Sequence, residues 1–559
     1  MNGKQLSAVT ASCIALAVSS GASFGVSVLQ NFSGGYGGTG SQNLLEPPDT
    51  NGAVGYSGAT EYVAEMINGF YGVYSPTGTA STQESMASFW ASAAGYSALG
   101  GLVNDAGTGT FSITGSSGGY DTHSKLSLLF TDPRIVYDPT SSRWYASTLA
   151  VTEATNTTTN TNYILSSSFL VGESNTSNPN NPWTGYAIPA QPTSVGTYTP
   201  PPGSSGSKAP VYAWADFDTL GVNGGNVYIN GNMYYSPNPS NGSYYAGFQG
   251  ATGTSNILVI PKASFTTPTL SSGSYRLFAN VPSFTNQAAQ NFAGSTITGY
   301  LYGINGNGNQ LVQTKITGTS PGNYMLQQGA GSIVTLSVGN GNLQTTAASQ
   351  PGLPASIDTG DTRLSSNFTM ADGYVWGTQM VANPSNTALD AIRWFAINPI
   401  SNTILAQGII TDPTNSLYYG SIAVSKDGAV VIDFNESSSS QNISSYILTG
   451  TFNGTNVTMG ATPTLLNAGA GVYNPGGGTS AGRWGDYSTI EVDPNNPNNF
   501  WIFQELPSGS NSAQWTTKIT EIDPPGGIGT TVPEPGVLPL LLLGATPLLL
   551  TLRRRKVGS

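Results

Sequence analysis

Short apolar and aromatic runs recur along this chain, rich in Val, Ile, Tyr, Phe and Trp and bounded by Gly, Asn, Asp or Pro. Residues 62–74, 134–137, 144–151 and 226–235 are early examples; 374–381, 392–397, 422–434 and 500–506 are later ones. Runs of this length and bounding read as strands. No convincing amphipathic helix of ordinary length interrupts them. The best candidate, 84–99, has an ambiguous period. The Gly-rich stretches 32–41, 202–207 and 474–482 and the Thr/Asn-rich stretch 154–162 read as loops. The pattern predicts an all-β fold with long Gly/Ser/Asn-rich loops.

Four segments share a plan in which a strand meets a turn and an aromatic or β-branched strand follows. Ile135–Asp138 with Pro139 leads into Arg143–Ser147, and Ala371-Asp372-Gly373 leads into Tyr374–Gly377. Val424–Gly428 leads into Ala429–Ile432, and Ile490–Pro494 into Phe500–Phe503. Pro fixes φ and Gly permits positive φ, so both end one strand and start the next. Four such hairpins at irregular spacing predict one large β-propeller-like domain of six to eight blades over 46–523, its aromatics packing between blades. Two or three β-sandwich domains are the alternative that the same strand spacing allows.

The two ends differ from this pattern. Lys4, an apolar small-residue stretch from Ala8 to Val18, and Ser20, Gly21 and Ala22 make 1–25 a signal peptide with cleavage near Ala22 to Gly25. Residues 26–45 follow as a flexible segment. At the other end a linker, 524–531, precedes Val532-Pro533-Glu534-Pro535, an apolar run from Gly536 to Leu552, and the basic cluster Arg553, Arg554, Arg555 and Lys556. The apolar run has seventeen residues. As a helix it would reach roughly 25 Å, the short end of what crosses a bilayer. The basic cluster would stay cytoplasmic and everything before it outside.

Val532, Pro533, Glu534 and Pro535, the apolar run 536–552 and Arg553, Arg554 and Arg555 together resemble the PEP-CTERM tail of proteins sorted by exosortases in Gram-negative bacteria. The resemblance covers 532–559. It implies export, transient inner-membrane anchoring through the tail, and delivery to the cell surface or beyond. Exosortase and the secretion machinery would then be partners, and a biofilm matrix the destination.

Composition narrows the function classes. Five of the 17 Lys and Arg lie in the two ends, leaving twelve against 28 Asp and Glu, all of which precede Gly536. So acidic a chain offers no basic face for nucleic acid, nor for an anionic membrane surface. Cys13, the only cysteine, leaves with the signal peptide, so the exported chain has no disulfide and relies on core size and backbone pairing. His123 is the only histidine, which excludes a His-based zinc site and leaves a Ser-His-Asp triad one candidate base. Its setting, Gly118-Gly119-Tyr120-Asp121-Thr122-His123-Ser124, reads as a turn.

A second set of motifs resembles exported bacterial proteins with propeller folds. It comprises Glu46–Gly55 (EPPDTNGAVG), Asp132–Asp138 (DPRIVYD) with Arg143-Trp144-Tyr145, Gly360–Leu364 (GDTRL) and Arg483–Ser488 (RWGDYS). The resemblance implies a sialidase-like or related propeller and no particular activity, since such folds host enzymes, lectins and scaffolds. A sialidase gathers arginines around a substrate carboxylate. Arg134, Arg143, Arg363 and Arg483 each sit in one of these motifs, and with Asp361 and Asp486 they are the candidate polar centre. The competing reading is structural, with guanidinium groups stacked on aromatics or paired with turn aspartates, also at Arg393-Trp394.

Glycoside hydrolysis needs two carboxylates flanking a bond. Asp216, Asp218, Asp361, Asp486, Glu491 and Glu505 are candidates. Ser425-Lys426-Asp427-Gly428 starts like a sialidase box but lacks its tryptophan, which weighs against an enzyme. No catalytic residue and no metal ligand is assigned. Calcium is the one cofactor left open, through Asp49, Asn51, Asp358 and Asp361 in tight turns. The expectation is non-catalytic binding of an extracellular polysaccharide or other polymer. A propeller glycoside hydrolase or lyase and a self-associating structural surface protein are the alternatives.

Overall fold

The structure, a computed structural model, describes residues 25–37, 47–96, 124–156, 161–190, 196–198, 209–236, 251–266, 269–292, 297–305, 307–341, 346–475, 481–509 and 512–525. The signal peptide expected from the sequence, the linker from 526, the expected sorting tail with its apolar run, and His123 lie outside these residues. Among the described residues no helix is long and apolar enough to cross a membrane.

Seven antiparallel sheets follow one another along the chain. Their first strands are Asn51–Ser57, Ser124–Asp138, Ala209–Val222 (preceded in its sheet by the three-residue strand Gly196–Tyr198), Phe284–Ala288, Thr369–Ala371, Ser416–Val424 and Thr489–Val492. Each sheet packs on the next, and the seventh returns to the first, through Asn51–Ser57 against Thr489–Val492. This is a seven-bladed propeller with the first strands innermost. The four hairpins read from sequence are the turns between first and second strands of blades 2, 5, 6 and 7.

Seven of the buried apolar clusters correspond to the seven blade interfaces. Trp144 joins Ala53 and Tyr71 between blades 1 and 2, Trp376 joins Ile422 and Phe434 between blades 5 and 6, and Trp501 joins Val54 and Val63 between blades 7 and 1. A ring of this kind leaves no place for separate sandwich domains. Glycine governs how closely the blades approach. A Cβ on Gly52 would strike the Phe503 ring of blade 7, and one on Gly55 would strike Tyr137 and Trp144 of blade 2. Residues 47–55 are therefore a seam between three blades.

Ser27–Gly37 lies in what the sequence suggested was a flexible lead-in. It is a strand, antiparallel to Trp515–Asp523 and outermost in blade 7. The long Gly-containing run gave a loop signal, but pairing with the last strand overrides it. Phe32 packs 5.6 Å from Tyr74 and 6.3 Å from Trp501, ring to ring. Buried Glu65 accepts the Gly35 N–H at 2.7 Å. A sheet edge that would otherwise be open is thereby covered. Among the described residues of 84–99 the helix is Met86–Ala94, capped by Ser85 and ended by left-handed Gly95, with Phe89 and Trp90 buried beside blade 2.

Outside the ring, residues 348–358 form a hairpin whose second strand, Leu353–Asp358, pairs in parallel with Gly482–Arg483. This small sheet carries Arg483 to the mouth of the central axis.

Deleting Ser27–Gly37 should expose the edge of Trp515–Asp523 without removing any other blade strand. The expected result is a melting temperature lower by several degrees and self-association through the bared edge, read by calorimetry and size-exclusion chromatography. A deletion variant as stable and as monomeric as the parent would show that closure does not depend on this strand.

Candidate functional site

The site is built by a repeated backbone device. At or just before the first strand of six blades one residue adopts a left-handed φ. These are Asp49 (52°), Asp132 (56°), Phe217 (60°), Thr285 (52°), Tyr419 (50°) and Gly485 (52°). In blades 2, 3, 4 and 6 the ladder register slips at this point, as at a β-bulge. A bulge re-aims side chains. A left-handed residue other than glycine costs about 1–3 kcal/mol, so five of them at one end of the ring mark a place where the fold accepts strain.

That end carries most of the charge. Asp49, Asp132 and Asp486, from blades 1, 2 and 7, each offer a carboxylate oxygen, and these lie within 4.8 Å of one another. Asn68 clamps two of them. Its Nδ2 donates to Asp49 Oδ2 at 2.7 Å, and its Oδ1 accepts the Asp132 N–H at 3.0 Å. The Phe217 N–H donates to Asp132 Oδ2 at 3.0 Å. Arg483 Nη2 donates to both oxygens of Asp486, at 2.7 and 2.8 Å.

Beside the triad runs a stack of rings and guanidinium groups. Arg134, fully buried, lies 3.3 Å from the centre of the Tyr487 ring, and Phe217 stands between Arg134 and Arg363. Arg134 donates to the carbonyls of Asp218 and Ser365. Arg363 donates to both oxygens of Asp361 at 2.9 Å. Asp218 is buried and accepts from Ser147 Oγ at 2.6 Å.

Electrostatics separate these carboxylates into two kinds. Burial, then the neighbouring carboxylate Asp486, pushes Asp49 and Asp132 upward. Burial and then Asp132 do the same for Asp216 and Asp218. For Asp361 burial also works against ionisation, but the Arg363 guanidinium outweighs it and holds the carboxyl below its ordinary value. Arg483 and Asp361 are sunk among protein atoms, yet 45% and 44% of their side-chain surface stays open to water. Solvent screening keeps such pairs weak contributors to stability, whatever their geometry.

Of the candidate polar centre, the structure brings Arg134, Asp361, Arg363, Arg483 and Asp486 to the axial mouth. Arg143 is elsewhere, at the start of a second strand, where its guanidinium donates to the Ser142 carbonyl at 3.2 Å and its charge acts on Glu173. Arg393 is structural: buried, it donates to the Gly308 and Val338 carbonyls at 2.6 and 3.0 Å. The four turn residues named for calcium do not form one set. Asn51 spends its amide on Thr489 Oγ1 and on the Ile135 N–H, stitching blades 7, 1 and 2. Asp358 caps the Gly360 N–H at 2.9 Å, and Asp361 is held by Arg363. Asp49 alone joins an acidic triad that could hold a metal ion.

Sequence reasoning missed Asn68, Asp132, Phe217 and Tyr487 as site residues. Asp132 and Tyr487 sit inside the motifs DPRIVYD and RWGDYS, which was the available signal; Asn68 has none. Of the hydrolase candidates, Glu505 is buried between strands, and Glu491 faces a different cavity. That cavity, about 290 Å³, opens at the other end of the axis and is lined by Tyr137, Gln290, Asp372, Val424, Lys426 and Glu491 among others.

No known protein family matches the chain, and no curated protein does. Among solved structures it is similar to the Trypanosoma rangeli sialidase, at 10% identity and a TM-score of 0.31, over 70% of this chain and 54% of that one. It is also similar to an endo-arabinase from Bacteroides thetaiotaomicron, at 12% identity and a TM-score of 0.26, over 71% and 93%. A third is an exo-beta-1,3-galactanase from Clostridium thermocellum, at 10% identity and a TM-score of 0.27, over 83% and 95%. The chain spans about half the length of the first of these. At such values the propeller rests on its own strand pairing.

Two predictions follow from this geometry. Arg134→Ala should cost about 2–4 kcal/mol, because it strips a buried stack and leaves carbonyls without donors, whereas Arg143→Ala should stay within about 0.5 kcal/mol. Denaturant unfolding checks both. Stability should also depend on pH through acids raised by burial. Glu65 and Asp433 are pushed to about 7, and Glu491 to about 8. Each binds a proton more tightly folded than unfolded. Their contribution is complete below the ordinary carboxylate range and is lost as pH rises through 7 to 8. The melting temperature should therefore be higher near pH 5 than near pH 8. A flat or rising profile would contradict the burial of these groups.

Proposed function

We propose that this chain is an exported envelope or extracellular-matrix protein whose propeller binds a polysaccharide or other hydroxyl-rich polymer at the axial mouth without cleaving it. One observation carries the reading. The carboxylates inclined to hold a proton, Asp49 and Asp132, are buried to 1% and 3% exposure. Asp361, open to water, and Asp486, part-buried at 16% exposure, are each tied to an arginine. A general acid must reach the leaving oxygen. Here Asp361 and Asp486 are ion-paired, and three of the four carboxylates that burial pushes upward, Asp49, Asp132 and Asp218, are enclosed; the fourth, Asp216, is part-buried and is the acid a hydrolase would use. Two Arg–Asp pairs with tyrosine and phenylalanine beneath them suit hydrogen bonding to hydroxyls.

The tail supports the location. Val532–Pro535, the apolar run and the terminal arginines fit transient anchoring followed by exosortase processing, with the domain released to the surface of a Gram-negative cell. A glycoside hydrolase is the second reading, favoured by the number of aspartates gathered at one mouth.

The mature chain would be tested by affinity electrophoresis against a panel of neutral and acidic polysaccharides, with reducing-end release measured in parallel. We expect retardation by at least one polymer, weakened tenfold or more by Arg363→Ala, and no release. Release of reducing ends that disappears in Asp486→Asn would replace binding by hydrolysis. Intact mass in the native host should show neither 1–25 nor the tail; an uncut tail would mean a plain membrane anchor.

A further inference from the structure

We propose that Asp49, Asp132 and Asp486 hold a divalent cation of the oxygen-preferring kind, Ca²⁺ in the first instance, at the seam where blades 7, 1 and 2 meet. The proposal is independent of the polymer-binding reading, because it concerns how the ring is held and not what the mouth binds.

Four observations point to it. Three carboxylate oxygens from three different blades lie within 4.8 Å of one another. Two ligands on one Ca²⁺, at about 2.3–2.6 Å each, are at most about 5 Å apart, so this spread fits around a single ion. Next, Asp49 Oδ1 has no hydrogen-bond partner, although its side chain is 1% exposed. A buried carboxylate oxygen without a donor is costly, and an ion or water is the usual reason for one. The other oxygen of Asp49 is already taken by Asn68, which fixes the direction in which the carboxylate is offered. Asn68 also holds the Asp132 backbone, so two of the three ligands are preset by one amide.

Charge gives the fourth observation. Six aspartates gather around the mouth, Asp49, Asp132, Asp216, Asp218, Asp361 and Asp486, against three arginines, Arg134, Arg363 and Arg483. Arg363 is committed to Asp361, and Arg134 to the Tyr487 ring and to backbone carbonyls. Arg483 pairs with Asp486 from the solvent side, and its charge also acts on Asp49 and Asp132. A divalent ion would supply the missing positive charge where it is least screened. Asp486 would then bridge ion and arginine, and water entering past Arg483 would complete a shell of the flexible kind that Ca²⁺ accepts.

Because the ligands belong to the first, second and last blades, the ion would cross-link the closure of the ring. Binding would therefore appear as stability.

The test uses the mature chain stripped with EDTA. Titration calorimetry with CaCl₂ should show one site per chain with Kd at or below about 1 mM, the range of extracellular calcium modules. The melting temperature should rise on adding about 5 mM Ca²⁺. Asp49→Asn keeps the shape and removes a buried charge, so it should fold and melt in EDTA no lower than the parent, while losing both the heat and the thermal increment. Asn68→Ala should weaken binding severalfold and leave some of it. A response to Mg²⁺ or Mn²⁺ in place of Ca²⁺, lost in Asp49→Asn, would keep the site and change the ion. No saturable heat and no shift with any of the three would overturn the proposal. So would a cation response in Asp49→Asn equal to the parent's.

Discussion

A ring of sheets must be shut, and most of this structure depends on how that is done. A propeller built from consecutive four-stranded sheets leaves its first and last blades facing each other with no covalent link between them. Here Ser27–Gly37 crosses that gap. It adds the outermost strand to a blade whose other three strands come from the C-terminal end. The inner side of the same seam is stitched separately, by Asn51 to Thr489 and by Tyr56 to both oxygens of Asp493. One chain end thus holds the rim and another segment holds the axis. With no cystine available, backbone pairing and interdigitated aromatics carry the whole closure.

The same seam explains why the acids collect where they do. Inner strands converge on the axis at one end, and the left-handed residue at that end points its neighbours inward. In blades 1 and 2 that residue is itself an aspartate. Asp and Asn tolerate left-handed φ better than other side chains, since a short polar group can bond locally. The backbone requirement and the acidic character therefore have a common cause. Yet local bonding satisfies only part of each carboxylate. The remainder is left facing other carboxylates in a poorly solvated centre, a state that needs protons, arginines or an ion to persist.

The fold was largely legible in the sequence because its signals are local. A turn of Asp-Pro or Asp-Gly followed by Tyr-Val-Trp or Arg-Trp-Tyr states a hairpin, and four such hairpins turned out to be the inner halves of four blades. The closing strand was not legible. Its run of Gly and Ser looks like a loop, and what makes it a strand is a partner almost five hundred residues away. The site was legible in part for a similar reason. Arg134, Arg363 and Arg483 stood out because arginine is rare here and each lies in a motif. Arg143 met the same two criteria and lies elsewhere, because position along a strand, not membership of a motif, decides whether a side chain meets the axis. Asn68 is one polar residue in a turn among many, and only the fold shows that it spans Asp49 and Asp132.

Arg134 also shows that a structural arginine and a site arginine need not be opposites. It is fully buried, stacked on Tyr487, and bonded to backbone from blades 3 and 5, so it belongs to the framework. Its charge nevertheless acts on Asp132 and Asp218, moderating the rise that burial imposes on both. Arg363 and Arg483 stand at the open side and meet water. The mouth is thus layered, with an enclosed arginine and enclosed aspartates below and two accessible ion pairs above. On the proposed reading a polymer arriving from solvent would meet only the upper layer, while an ion small enough to pass between the pairs would reach the lower one. Asp486 joins the two layers, paired with Arg483 above and facing Asp49 and Asp132 below.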